Sequence, residues 1–243
     1  MNVKTALITG AAKRIGAAIA CSLHAAGMNV VIHYHKSEAE AGQLCASLNG
    51  VRPGTAGAIR ADLSDESSYR RVVDFTCDRF GGLDVLVNNA SAFFPTPVAD
   101  TTLAQWDELM ATNLKGPFFL SQAAAGALRD ARGCIVNVTD IHAFRPLKGY
   151  SVYSTAKAAL IMLTQALAKE LAPEIRANAV APGAILWPED MGADLKQRIV
   201  SHTVLRRPGN PADIAGAVRY LIFDAGYVTG QVLTIDGGRT LYS

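Results

Sequence analysis

The chain has little cysteine and little charge for its 243 residues. Its four cysteines, Cys21, Cys45, Cys77 and Cys134, lie far apart and form no C-x-x-C pair. That argues against a disulfide framework and predicts reduced core thiols in a cytoplasmic protein. No run of 18 apolar residues occurs, and an apolar strand-like run begins almost at the first residue. Neither a membrane span nor a secretory leader is expected. Charged residues make up 18% of the sequence, the net charge is +2, and Lys and Arg are scattered. Nucleic acid would need a basic stripe, and there is none. No repeat, low-complexity segment or Gly/Ser/Pro-rich linker divides the chain. What the sequence does have is apolar residues: half of it is hydrophobic, which suits one large core.

Short β-branched and apolar runs alternate with helical periodicity. Strands are predicted at 4–9, 29–33, 57–61, 85–88, 134–138, 177–181 and 232–235. Helices are predicted at 15–26, 38–48, 65–80 (capped by Ser64 or Asp65), 102–128 (broken near Gly116-Pro117) and 212–223. The last of these has Asn210 as its cap and Pro211 at its first position. A further alanine-rich helix carries Tyr153 and Lys157. Strand–helix alternation requires parallel strands joined by right-handed crossovers. The fold class is therefore α/β: a single-domain, Rossmann-like, doubly wound fold spanning 1–243. Its seven-stranded parallel sheet would carry helices on both faces.

The stretch from Asn137 to Lys157 carries the densest chemistry. Tyr153 and Lys157 are four apart, so on a helix they share a face. A free phenol has a pKa of about 10, and bringing it to about 7 takes about 4 kcal/mol. A nearby ammonium in a dry cleft could largely supply that, making Tyr153 an acid/base group tuned by Lys157. Asp140 closes the preceding strand and could orient a substrate or relay a proton. Taken alone, Y-x-x-x-K is usually just a polar helix face.

The first turn, Thr9–Gly16, places glycines between a strand and a helix, as a pyrophosphate site requires. Gly10, Arg14 and Ile15 belong to it, with Arg14 standing where a glycine is usual. An NAD protein places a carboxylate at the end of the second strand. Here the residues are His33, Tyr34, His35, Lys36 and Ser37, which suit a 2′-phosphate and so NADPH. A metal at His33 and His35 lacks a third ligand and is not expected. Asp62 suits either the adenine amino group or a helix cap. Gly10, Asp62, Asn89, Asp140 and Pro182-Gly183 all fall at carboxyl ends of strands, where open parallel sheets bind ligands.

Thr9–Gly16, Asp62-Leu63, Asn88-Asn89-Ala90, Asn113, Tyr153-x-x-x-Lys157, Pro182-Gly183 and Asp236-Gly237-Gly238 together resemble the short-chain dehydrogenase/reductase family over nearly the whole chain. The resemblance implies that Tyr153 is the acid/base, that Lys157 tunes it and holds the nicotinamide ribose, and that Asn113 holds a relay water. It implies cofactor contacts at Leu63, Asn89, Ala90, Ser91, Pro182 and Gly183. It also implies a homotetramer built on the helices after Thr102 and Tyr153. The family usually has a serine where this chain has Asp140. That change, together with Arg14, His33–Ser37 and Asn88–Pro97, resembles the pteridine reductase branch. There Arg14 and Ser91 would touch cofactor and substrate, Phe93 would stack on the pterin, and Asp140 would join Tyr153 in proton delivery. In the loop 183–200, Ile185, Leu186 and Trp187 could wall the pocket. The expected function is NADPH-dependent reduction of a pterin or folate C=N bond. The competing readings are a carbonyl reductase of the same family and a non-catalytic NADP(H)-binding regulator.

Overall fold

Every residue of the strand Thr5–Ile8 (β1) is buried. A strand that is apolar at both parities must be covered on both faces, and this dictates the architecture. A computed structural model describes residues 3–187 and 191–242. The remaining strands are Asn29–Tyr34 (β2), Ala56–Arg60 (β3), Val85–Asn88 (β4), Cys134–Val138 (β5), Arg176–Pro182 (β6) and Val232–Ile235 (β7). All pair in parallel, in the order β3-β2-β1-β4-β5-β6-β7. The expected doubly wound, seven-stranded sheet is therefore present. The order reverses between β1 and β4, and that crevice is where ligands enter such sheets.

The helices are Arg14–Ala25 (α1), Glu38–Val51 (α2), Ser67–Phe80 (α3), Leu103–Met110 (α4), Gly116–Asp130 (α5), Ser151–Glu170 (α6), Ala193–Ser201 (α7) and Pro211–Phe223 (α8). Alternate residues of one strand feed two cores. Ala6 and Ile8 pack with α1 and α8, on Ile19, Leu23, Ile214 and Val218. Leu7 packs with α3, α5 and α6, on Val72, Leu120, Leu128 and Leu167. Each such fully buried aliphatic side chain contributes about 1.5–3 kcal/mol.

Four local expectations need correction. No break occurs at Gly116-Pro117. Instead α4 runs through a π-helical turn, Ala111–Lys115, into α5, with Pro117 just past the wider turn. The helix expected from residue 65 starts at Ser67, because the Asp65 carboxylate accepts from the Ser67 amide and hydroxyl and holds the preceding turn. Helix α7 lies inside the stretch read as a loop. It buries no residue, and its apolar positions are few, Leu195 and Ile199 four apart among charged and polar neighbours; residues 188–190 of that stretch lie outside the described residues. Finally, only Cys134 is a buried core thiol, while Cys45 and Cys77 are half-buried and Cys21 is exposed. Among the described residues no helix is long and apolar enough to cross a membrane.

Candidate active site

Strand β5 ends at Val138, and two residues later Asp140 caps a short 3₁₀ turn, Ile141–Ala143. Its Oδ1 accepts from the His142 amide at 2.8 Å. That bond fixes the carboxylate and leaves Oδ2 facing α6, where it accepts from Tyr153 Oη at 2.8 Å. Lys157, one turn along, is 2% exposed. Its ammonium donates to the Val138 carbonyl at 3.0 Å and lies 5.7 Å from the Tyr153 ring centroid. Asp140, Tyr153 and Lys157 thus meet in one place.

The electrostatics differ from the sequence expectation. Burial, and then the Asp140 charge and its hydrogen bond, push the Tyr153 phenol well above its ordinary range; only Ser91 acts the other way. A phenolate beside a carboxylate is disfavoured on both counts. Lys157 is brought down to about 8 by burial, with Asp140 opposing. Tyr153 therefore stands as a protonated donor, not as a ready phenolate.

The glycine turn fits a dinucleotide. Gly10 has φ +59°, and a Cβ there would meet the Ala90 backbone at 2.9 Å. A Cβ on Gly16 would strike the Gly10 carbonyl oxygen and the Asn89 amide nitrogen. The backbone of β1 is thereby drawn against the end of β4, and the N–H groups of Arg14, Ile15 and Gly16 open the first turn of α1. Arg14 occupies the left-handed region at φ +58°, which is the conformation glycine supplies in such a turn. It is exposed, as are His35 and Lys36, while Tyr34 and Ser37 are half-buried.

His33 does not join that basic rim. It is 2% exposed, Nδ1 accepts from the Gly10 amide at 3.2 Å, and Nε2 faces the Ala61 carbonyl at 3.1 Å. Burial pushes its pKa down to about 4. It is a neutral brace between the glycine turn and the residue after β3, with no charge to offer a phosphate. Asp62 caps no helix: Oδ1 accepts from the amide and hydroxyl of Ser64 in the turn ahead of α3, and Oδ2 lies 3.5 Å from His35. Leu63 beside it is buried. Pro182 ends β6, and the Gly183 amide donates to the Ile235 carbonyl.

Asn89 and Ala90 are held by Thr9, which the sequence reading placed in the first turn without a role. Thr9 Oγ1 accepts from both of their amides at 2.9 Å, and the Asn89 side chain donates back to the carbonyls of Thr9 and Gly10. A threonine closing an apolar run just before the glycine was the available signal. Ser91 Oγ donates to Asn113 Oδ1 at 2.7 Å, and Asn113 Nδ2 donates to the carbonyls of Ala92 and Leu109. The Asn113 amide hydrogens are therefore spent on tying the loop after β4 to α4. Phe93 in that loop is 49% exposed. It stacks on Tyr150 at 4.5 Å and meets Tyr153 edge-on at 4.8 Å, so one face of its ring already has a partner. Ile185 is buried, and a Cβ on Gly209 would collide with it. Leu186 packs on the α1/α8 core. Among the described residues no group of three His, Cys, Asp or Glu could hold a metal.

Residues 10–240 match a family model described as enoyl-(acyl carrier protein) reductase. The chain is 35% identical to pteridine reductase 1 of Leishmania tarentolae, over 97% of this chain and 96% of that protein. It is 36% identical to a 3-oxoacyl-[acyl-carrier-protein] reductase of Synechocystis, over 100% and 99%. It is 35% identical to 3beta-hydroxysteroid dehydrogenase 1 of Eggerthella lenta, over 98% and 94%. Identity alone does not separate a pterin substrate from a ketone.

Proposed function

Because this chain belongs to the short-chain dehydrogenase/reductase family and is an oxidoreductase of that kind, we propose that it is an NADPH-dependent pteridine reductase acting on a C=N bond of a dihydropterin or dihydrofolate. The observation that carries this reading is the 2.8 Å bond between Tyr153 and Asp140. A ketone oxygen needs only donors. A pterin ring has N–H groups as well as imine nitrogens, so it needs an acceptor beside a donor. Asp140 is the acceptor and Tyr153 the donor.

NADPH, when bound, supplies the hydride to the ring carbon. Gly10, Ile15 and the first turn of α1 would hold its pyrophosphate, with the end of β4 and Pro182-Gly183 beside it. Arg14, His35, Lys36 and Ser37 would face its 2′-phosphate. Tyr153 gives its proton to the ring nitrogen, and Lys157, protonated below about 8 and 5.7 Å from the Tyr153 ring centroid, favours the negative charge left on the oxygen. The exposed face of Phe93 offers the planar ring a stacking surface worth about 0.5–1.5 kcal/mol.

Exposed Trp106, Phe118, Phe119 and Met162 give α4, α5 and α6 an apolar surface that a homotetramer would cover, and sedimentation would measure its size. Purified protein with NADPH and either dihydrobiopterin or dihydrofolate should consume NADPH, and no consumption with either would remove the reading. A ketone reductase is the second reading, favoured by the 36% identity to the Synechocystis enzyme. Turnover of a 3-ketoacyl substrate in preference to pterin would establish it.

A further inference from the structure

Three arginines from three separate segments line one cavity of about 350 Å³. Arg145 follows the 3₁₀ turn after Asp140, Arg198 lies on α7, and Arg239 lies in the C-terminal turn. Ile141, His142, Leu195, Ile199, His202, Thr240 and Tyr242 complete the wall, which includes no carboxylate. Ile141 and His142 directly follow Asp140, so the cavity wall begins one residue along the chain from the proton-delivery pair.

The guanidinium groups are only partly committed. Arg145 donates one hydrogen to the Tyr242 carbonyl at 2.8 Å. Arg239 donates one to the Ile199 carbonyl at 3.3 Å. Each guanidinium has five N–H groups. Among the described residues, no carboxylate is within ion-pair distance of any of the three. Leu195, Arg198, Ile199 and His202 recur at helical spacing, so α7 turns one face to the cavity. Three cations around a concave space repel one another unless an anion joins them, and arginine is the side chain that grips carboxylates in pairs.

We propose that this cavity is an anion subsite for the tail of the substrate, and that the protein therefore prefers a pterin with a carboxylate-bearing tail, of the dihydrofolate class, over one with a neutral side chain. The preference rests on the pteridine reductase reading, whereas the anion subsite itself does not. The pterin ring lies against Tyr153 and Asp140, and its acidic end passes the 3₁₀ turn to reach Arg145, Arg198 and Arg239.

Two measurements test it. In the first, NADPH-dependent turnover of dihydrofolate and of dihydrobiopterin is compared for the natural protein and for Arg198→Gln, an exposed position on a helix with no buried residue. A lost charge-assisted contact predicts a rise of about tenfold in KM for dihydrofolate. KM for dihydrobiopterin should stay within about twofold, since a neutral tail has no charge to lose. Equal effects on both substrates, or none on either, would overturn the preference. In the second, p-aminobenzoylglutamate alone is titrated calorimetrically into the NADPH-loaded protein. Binding that is lost in Arg198→Gln and weakens with salt supports the subsite even if neither pterin is reduced, in which case only the pteridine reductase reading fails. No binding to the natural protein overturns the subsite.

Discussion

Tyr153 Oη donates its hydrogen to Asp140 Oδ2 at 2.8 Å, so the phenol rests on a carboxylate whose other oxygen is pinned by the His142 amide. A carboxylate in that seat makes the phenol a weaker acid, and it adds an acceptor that a hydroxyl would supply only weakly. Asp140→Ser should lower the Tyr153 pKa, read by ultraviolet difference titration against Tyr153→Phe. Pterin turnover should fall by about tenfold or more, as loss of a charge-assisted bond implies. Unchanged pterin turnover would show that the carboxylate plays no part.

Lys157 sets the alkaline limit. Burial lowers its pKa to about 8, while Tyr153 is pushed above its ordinary range. Raising the pH therefore discharges the lysine first. The rate of reduction should be flat near neutrality and fall as pH rises through about 8. A profile that stays level to pH 10 would mean that the ammonium is not needed. Lys157→Met should abolish both the activity and the titration.

Much of this site can be traced back to particular residues in the sequence, and so can the limits. The strands were readable because apolar residues at both parities are rare outside buried parallel sheets. Tyr153, Lys157 and Asp140 were readable because four-residue spacing fixes a helix face and a strand end fixes an edge. His33 was misread because a histidine at a strand end looks the same in sequence whether it is a charged rim or a neutral brace, and only its partners Gly10 and Ala61 decide. The cluster of Arg145, Arg198 and Arg239 was invisible, since no local pattern joins residues so far apart in the chain. The π-helical turn was read as a break because Gly-Pro is a breaker in most contexts.

His33 also predicts an acid weakness. Its folded pKa of about 4 lies below the ordinary 6.5, so the unfolded chain binds the extra proton first. Stability from this group is complete above 6.5 and is lost as pH falls toward 4. The loss across the window is about 3 kcal/mol at most. Urea unfolding at pH 7 and pH 5 should show the natural protein weakening. His33→Asn, less stable at pH 7, should show a smaller pH dependence.

Arg14 holds a backbone conformation that costs a non-glycine residue about 1–2 kcal/mol, at φ +58°. Arg14→Gly should relieve part of that strain, offset by the freer unfolded chain. Thermal stability should stay equal or rise slightly, while KM for NADPH rises by about tenfold, as loss of a phosphate contact implies. A stable variant with unchanged kinetics would reduce Arg14 to a spacer.

Thr9 is the hinge pin between β1 and β4, and its hydroxyl receives two amides. Thr9→Val keeps the shape and strands both donors, for a loss of about 2 kcal/mol measurable by denaturant titration. Thr9→Ser should recover most of it.

The wide turn at Ala111–Lys115 has one more consequence. Leu109 before it and Leu120, Ala124 and Leu128 after it are each seated in their own core. Deleting one residue would give a more regular helix, but it would rotate one flank by about 100° relative to the other. Either Asn113 would swing away from Ser91 and Ala92, or the downstream leucines would leave their sockets. Length variation, tolerated in most surface helices, is closed off here, and the irregularity is locked in by the two regular segments that it separates.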